Sequence, residues 1–203
     1  NVLQKFNITF ANGSNRKDLE NVNIYKSDDL NNALKTYEVK DEATGTTNTV
    51  VKDTVIEGNS VTYVVKPKDG YAFRKKTDET NNKKVTTLTI EDTIVDSNDS
   101  NGDDNTNGSV DNNTSGNQNE NPLIEEDKIT FKLENITNNK TVKISNVLQK
   151  FNITFASGDN QVNHLDRVYI YKSNDLENAL NKEDVKDETA GTTNTIVKDT
   201  VIE

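Results

Sequence analysis

The chain has 203 residues, with no cysteine, methionine or tryptophan and only 31% hydrophobic residues, which is low for a globular protein. Its formal net charge of −10 at pH 7 argues against nucleic acid and anionic membranes as partners. The lack of cysteine excludes disulfides and thiol chemistry. No apolar run is long enough to span a bilayer, so membrane insertion is not expected.

The first predicted element is a half-buried strand within residues 2–10. Phe6, Ile8 and Phe10 alternate with polar residues and share one face, whereas Lys5 falls on the polar face. The same period of two predicts strands that contain Val22 and Ile24; Val61, Tyr63 and Val65; Tyr71 and Phe73; Leu88 and Ile90; Ile129, Phe131 and Leu133; Val142 and Ile144. Polar turn residues separate them, which is typical of an antiparallel β-sandwich.

One short helix is predicted after Ser27. Ser27 is a good N-cap, and Asp28 and Asp29 suit a helix N-terminus. The apolar residues that would share one face of this helix are Leu30, Ala33 and Leu34, and the later counterparts of the whole pattern are Ser173, Asp175, Leu176, Ala179 and Leu180.

Residues 96–127 form a low-complexity tract with nine carboxylates and no basic residue. Such a segment buries too little apolar surface to offset its ordering entropy, so disorder is expected. The tract is either a linker between two domains or a loop inserted into one. Long structureless loops are uncommon inside domains, which favours the linker. Residues 129–145 run without a spacer into the next strand, which favours the insertion.

Within this tract, residues 103–114 (DDNTNGSVDNNT) resemble a calcium-binding loop. Gly108 would make the sharp turn, and Val110 occupies the apolar position. Thr114 replaces the bidentate glutamate of the template, so a flexible spacer is the competing interpretation. The candidate oxygen ligands are Asp103, Asn105, Asn107 and Asp111.

The chain then repeats itself. NVLQKFNITFA at residues 1–11 returns at 146–156, and TNTVVKDTVIE at 47–57 returns as TNTIVKDTVIE at 193–203. We therefore predict a complete repeat unit at 1–145, with a sandwich core of 1–95 and 129–145, and an incomplete next unit at 146–203. The incomplete copy lacks counterparts of 58–145, so we expect it to be disordered or to recruit another chain through its open edges.

Two segments resemble known bacterial surface repeats. Residues 57–73 (EGNSVTYVVKPKDGYAF), with the turn residues Pro67, Gly70 and Tyr71, resemble a repeat common in bacterial surface proteins. The residues that match its closing hairpin are Phe131, Asn135, Ile136, Thr137 and Val142. Residues 19–27 with 63–73 look like the prealbumin-like, Ig-like sandwich of collagen-adhesin B-type domains.

The resemblance implies a secreted wall protein of a Gram-positive bacterium with a stalk or adhesive role. The collagen-adhesin family often carries an inward lysine on its first strand that forms an isopeptide bond. Lys5 lies on the polar face, which argues against that bond here.

No catalytic constellation is visible, so we predict no enzymatic activity, no cofactor and no metal apart from the calcium alternative. His164 is the only histidine, has no histidine counterpart in the first copy, and is interpreted as a solvated loop residue. Asn-x-Ser/Thr triplets, the acceptor pattern for N-glycosylation, begin at Asn7, Asn12, Asn135, Asn139 and Asn152. Because Asn and Thr are abundant in this chain, we interpret these triplets as chance occurrences.

Near-identical copies in series favour a protein that works by extension and multiplication. The leading hypothesis is a non-enzymatic stalk or spacer of an extracellular, wall-attached or secreted protein, with neighbouring repeats as partners. The alternative is an accessory module that binds a glycan or host protein and requires an exposed aromatic platform. Its candidates are Tyr25, Tyr37 and Tyr71; Tyr25 is retained as Tyr171, whereas Tyr37 becomes Glu183.

Overall fold

The structure is a computed structural model that describes residues 2–14, 17–40, 42, 45–75, 83–93, 122–158, 164–186, 188 and 191–203. It divides into two compact units, Asn1–Val147 and Leu148–Glu203. The first unit contains β1 (Lys5–Asn12), β2 (Val22–Lys26), β3 (Thr36–Lys40), β4 (Thr47–Ile56), β5 (Val61–Pro67), β6 (Tyr71–Ala72), β7 (Thr87–Asp92), β8 (Leu123–Ile124), β9 (Ile129–Leu133) and β10 (Lys140–Ser145).

The strands of the first unit other than β6 form two sheets. One has the order β3-β4-β1-β10-β7, and the other has the order β2-β5-β9-β8. The predicted all-β sandwich is confirmed. One pair departs from the antiparallel pattern, because β1 and β10 run parallel, with Ile8 opposite Lys140 and Asn12 opposite Ile144.

The core lies between these two sheets. Phe6, Ile8 and Phe10 are buried on the inner face of β1, as their alternation predicts, and Lys5 is exposed. The ring of Phe10 meets the ring of Tyr63 edge-on, with 5.0 Å between centroids. A second edge-on contact joins Phe10 to Phe131 at 6.2 Å. Aromatic side chains from β1, β5 and β9 therefore hold the sheets together.

The two strands of the predicted closing hairpin belong to the first unit, but the hairpin itself is wrong, because β9 and β10 lie in different sheets and do not pair with each other. Strand β9 pairs with β5, and β10 pairs with β1 and β7. Residues 129–145 therefore complete the same sandwich as residues 1–93, which is the arrangement expected for an inserted tract. Residues 94–121 lie outside the described part of the chain. Leu123 and Ile124, which belong to the tract for which we predicted disorder, instead form β8 beside β9.

The helix predicted after Ser27 is wrong. Residues 27–32 form turns, and Leu30 is exposed. The reason is local hydrogen bonding: the backbone N–H of Asn32 and its Nδ2 donate to the Asp29 carboxylate at 3.3 and 3.0 Å. The backbone N–H of Asp29 also donates to the Lys26 carbonyl at 3.0 Å. Asp29 thus closes a tight turn in place of starting a helix.

Two short 3₁₀ turns, Asp18–Asn21 and His164–Arg167, are the helical segments of the described residues. They occupy equivalent positions in the two copies. The second unit contains β11 (Leu148–Phe155), β12 (Tyr171–Lys172), β13 (Asp175–Ala179), β14 (Lys182–Lys186) and β15 (Thr193–Ile202).

The second unit retains the sheet half formed by β1, β4 and β3. Its strand β11 pairs with β15, and β15 pairs with β14, in the same antiparallel arrangement. Phe151 lies opposite Val201 as Phe6 lies opposite Val55. The counterpart of β2 differs: β12 is short and pairs with β13. In the first unit β2 pairs with β5, a strand for which the second copy has no counterpart.

Candidate functional site

The inter-sheet cluster, Lys26, Asp53 and Tyr63, joins the two sheets of the first unit through polar groups. Asp53 lies on β4 and faces inward between Val51 and Val55, which are buried. Its carboxylate accepts a hydrogen bond from the Tyr63 hydroxyl at 2.7 Å and pairs with the Lys26 Nζ at 2.9 Å. One carboxylate of the five-stranded sheet thus holds a lysine of β2 and a tyrosine of β5.

The surroundings of the Tyr63 hydroxyl keep its proton on the tyrosine oxygen. Burial raises the pKa of Tyr63 far above its usual value, and the hydrogen bond to the Asp53 carboxylate raises it further. The hydroxyl therefore remains a donor at physiological pH. Asp53 thus accepts from two donors of the opposite sheet, and these contacts stabilise the packing of the two sheets. In the second copy the ion pair returns as Lys172 and Asp199, with 2.7 Å between Nζ and Oδ1.

The boundary clamp, Asp18 with Asn146 and Val147, fixes the chain where the first unit ends. Asp18 is fully buried in the 3₁₀ turn after β1. The backbone N–H groups of Asn146 and Val147 donate to its two carboxylate oxygens at 3.2 and 2.8 Å. Ser14 Oγ donates a third hydrogen bond at 2.9 Å. A buried carboxylate that accepts several hydrogen bonds is a strong local anchor.

Asn146 is held from its other sides as well. Its carbonyl accepts a hydrogen bond from Thr86 Oγ1 at 2.8 Å, and its Nδ2 donates to the Val85 carbonyl at 2.8 Å. Its φ of 60° places it in the left-handed region, where asparagine is tolerated better than most residues. The two residues between β10 and β11 are therefore tightly fixed to the first unit.

A third charged pair joins the last two strands of the five-stranded sheet. Lys140 on β10 lies directly opposite Asp92 on β7, is almost fully buried and donates to the Asp92 carboxylate. Partial burial raises the pKa of Asp92, but hydrogen bonds from Lys140 and Asn138 outweigh this effect and hold the pKa below its usual value. Asp92 is therefore ionised at neutral pH where it faces Lys140.

The structure does not bring the sequence-predicted residues together. Tyr25 lies on β2, Tyr37 on the opposite sheet at β3, and Tyr71 on β6. Tyr71 packs against the core, and Lys66 Nζ lies 5.6 Å from the Tyr25 ring centroid. Tyr37 is exposed.

Of the remaining candidates, the structure describes His164 alone. His164 is exposed at the start of the second 3₁₀ turn, at the position that Asp18 occupies in the first copy. The calcium-loop candidates Asp103, Asn105, Asn107 and Asp111 lie outside the described residues. Among the described residues, no group of three or more histidine or acidic side chains is placed to hold a metal ion.

Two surface cavities occur in the first unit. One, of about 410 Å³, is lined by Lys26, Asp28 and residues 54–62 of the β4–β5 region. The other, of about 570 Å³, lies beside β3 and the 3₁₀ turn and includes Lys17 and Glu20, which pair with each other at 3.1 Å. In both cavities a lining lysine is already paired with a carboxylate of the same unit.

Asp18 and Asp53 were not singled out from the sequence. A single carboxylate gives no motif, and the partners of each lie on other elements, up to 129 residues away in the case of Asp18. A weak signal exists for the cluster, because Lys26 and Asp53 return as Lys172 and Asp199.

No helix in the described part of the chain is long and apolar enough to cross a membrane. Comparison with protein-family profiles, curated proteins and solved structures found no match.

Proposed function

We propose that the chain is a non-enzymatic structural segment of a bacterial cell-surface protein, in which repeat units serve as a stalk or spacer outside the cell. The support comes from the repeat and from the polar groups described above, which join strands and sheets rather than face a substrate. The neighbouring repeats of the same chain are its expected partners.

The observation that carries the proposal is the parallel pairing of the first and last strands of the first unit. Strand β1 opens this unit and β10 closes it, and they lie side by side in the middle of the five-stranded sheet. Tension along the chain pulls the start of β1 and the end of β10 in opposite directions. Two parallel neighbours then slide past each other, so that all their hydrogen bonds are loaded together.

Contacts at both ends of this pair extend the zone that resists sliding. The backbone N–H of Asn7 donates to Asn139 Oδ1 at 2.8 Å at one end. The N–H of Gly13 donates to the Ile144 carbonyl at 2.8 Å at the other end. Beyond β10, the boundary clamp holds Asn146 and Val147. A unit built in this way is suited to carrying load.

Single-molecule pulling tests this proposal on the full chain. The protein has no native cysteine, so the double variant Val2→Cys/Gln149→Cys provides two unique handles at exposed positions on either side of the β1–β10 pair. The matched control is Val2→Cys/Glu57→Cys. Because Lys5 lies opposite Ile56, this control unzips β1 from β4 one pair at a time.

We expect a several-fold higher rupture force for the 2/149 handles than for the 2/57 handles at the same loading rate, since forced unfolding reports the unfolding barrier along the pulled direction. Equal forces in the two geometries would contradict a load-bearing role. Specific binding of the full chain on a glycan array or to a host protein would instead favour the accessory binding module.

A further inference from the structure

The second unit exposes an apolar sheet face that the first unit buries. Phe6, Ile8 and Phe10 are 8%, 0% and 0% exposed in the first copy. Their counterparts on β11 carry the same side chains in the same sequence context. These counterparts, Phe151, Ile153 and Phe155, are 46%, 40% and 37% exposed. Three large apolar residues on one face of one strand are an unusual exposure, which marks an interaction surface.

The first unit shows what covers this face. Phe10 packs against Tyr63 of β5 and Phe131 of β9. The buried residues Val142 and Ile144 of β10 lie beside it in the same sheet. All these strands come from residues 58–145, and no counterpart of this segment lies within residues 148–203.

The second unit keeps the geometry that this segment would require. Phe151 pairs with Val201, and Ile153 pairs with Asp199, in the register of Phe6 with Val55 and Ile8 with Asp53. We refer to β11 and β15 with these inward residues as the open face.

The open face also keeps the polar acceptor that meets Tyr63 in the first unit. Lys172 holds the Asp199 carboxylate, and this hydrogen bond lowers the pKa of Asp199 below its usual value. Thr200 N–H donates to the same carboxylate oxygen at 2.8 Å. Asp199 is therefore an ionised acceptor held by two donors.

We propose that the open face of the second unit is an acceptor for one further copy of the segment 58–145, bound as β5–β10 bind β1 and β4 in the first unit. This inference rests on the aligned halves and not on the stalk role, so pulling data that reject the stalk would leave it standing. The competing occupant is the open face of a second chain.

The test lengthens the full chain after Glu203 by one copy of residues 58–147, so that the order found after Glu57 is repeated. Ile153→Cys then reports coverage through its rate of labelling by a thiol reagent, and Ile8→Cys is the matched buried control. A second extension carries Asp at the counterparts of Tyr63 and Phe131. Amide hydrogen exchange of β11 and β15, measured without any cysteine, guards against variants that fold poorly.

We expect the extension to slow the labelling of Ile153→Cys to the rate of Ile8→Cys and to protect the amides of β11 and β15. The extension with the two Asp substitutions should do neither. Labelling that is unchanged by the first extension, or slowed equally by both, would overturn the proposal. Protection that already rises with the concentration of the unextended chain, together with a dimer in sedimentation, would assign the face to a second chain and would also overturn it.

Discussion

At the scale of single residues, three carboxylates stand where segments distant in sequence meet. Asp18 joins the turn after β1 to the end of the unit, Asp53 joins the two sheets, and Asp92 joins β7 to β10. Each accepts hydrogen bonds from groups that would otherwise lose solvent without compensation. Their contribution lies less in the net value of each bond than in the cost of leaving a buried partner unsatisfied.

Asp18→Asn should therefore destabilise the first unit. The amide offers one oxygen in place of two, and its NH₂ group would face a backbone N–H of Asn146 or Val147. We expect a loss of about 1–3 kcal/mol in the free energy of unfolding, measured by urea titration with circular dichroism. Asp69→Asn, in the exposed β5–β6 turn, is the control and should change little. A neutral Asp18→Asn would mean that the boundary clamp contributes no stability.

The ionisation of Asp92 should make the stability of the first unit depend on pH. Its folded pKa lies below the ordinary value of 3.8, so the ionised form stabilises the fold above the unfolded pKa, and this stabilisation is lost as the pH falls through the folded value. The difference in urea midpoint between the wild type and Asp92→Asn should therefore be present at pH 7 and shrink below about pH 4. A difference that stays constant from pH 7 to pH 3 would argue against the ion pair with Lys140.

At the scale of elements, the alternation of apolar residues predicted most of the buried strands. It identified the inner faces of β1, β2, β5, β9 and β10, because each of these strands has one face against the core. Strand β3 (TYEVK) also alternates, with Tyr37 and Val39 on one face, but all five of its residues are exposed, so alternation there does not mark a buried face. The helix after Ser27 was wrong because capping residues also build turns, and only the Asn32 to Asp29 contacts distinguish the two.

Other elements have no local signature at all. The parallel pairing of β1 with β10 joins residues more than 130 positions apart, and no pattern within either strand specifies its neighbour. The same limit applies to the boundary clamp, whose partners come from different ends of the unit, and to the inter-sheet cluster, whose three residues lie on three different strands. The sequence therefore predicted which face of each strand is buried. The order of the strands in the sheets, the inter-sheet cluster and the boundary clamp could be found only from the structure.

The β1–β10 pair leads to a prediction with an internal control. A Cβ added at Gly13 would lie 2.2 Å from Ser145 Oγ, 3.2 Å from Lys143 Cβ and 3.3 Å from the Ile144 carbonyl. At the equivalent Gly158, a Cβ would meet no atom within 4 Å. Gly13→Ala should therefore lower the free energy of unfolding by about 1–3 kcal/mol through overpacking, whereas Gly158→Ala should be nearly neutral. Equal effects in chemical denaturation would contradict the close approach of β10.

At the scale of the whole molecule, the chain contains two copies of nearly the same sequence in different surroundings. The first copy carries β5–β10 and buries its core, and the second keeps only the sheet half with β11, β15 and β14. The expectation that the second copy would be disordered is corrected in part, because its strands keep the register of the first. Both the β14–β15 hairpin and the β11–β15 pair lie wholly within residues 148–203, but most of the burial that stabilises their counterparts in the first unit is absent.

We therefore expect the two units to differ in stability despite their sequence identity. Amides of β11 and β15 should exchange faster than those of β1 and β4, and proteases should cleave β11 and β15 before β1 and β4. Hydrogen exchange with peptide-level mass spectrometry measures both copies in one sample, so each serves as the control for the other. Equal protection in a monomeric sample would show that the missing strands do not matter for stability.

The side-by-side placement of β1 and β10 also determines how much chain each folded unit stores. A strand of eight residues such as β1 covers about 25 Å, and chain entry and exit lie at opposite ends of that strand pair. Fully extended, the 147 residues of the first unit would reach about 500 Å. A unit that unfolded under tension would therefore lengthen its part of the chain many-fold before any covalent bond was strained, and refolding would shorten it again.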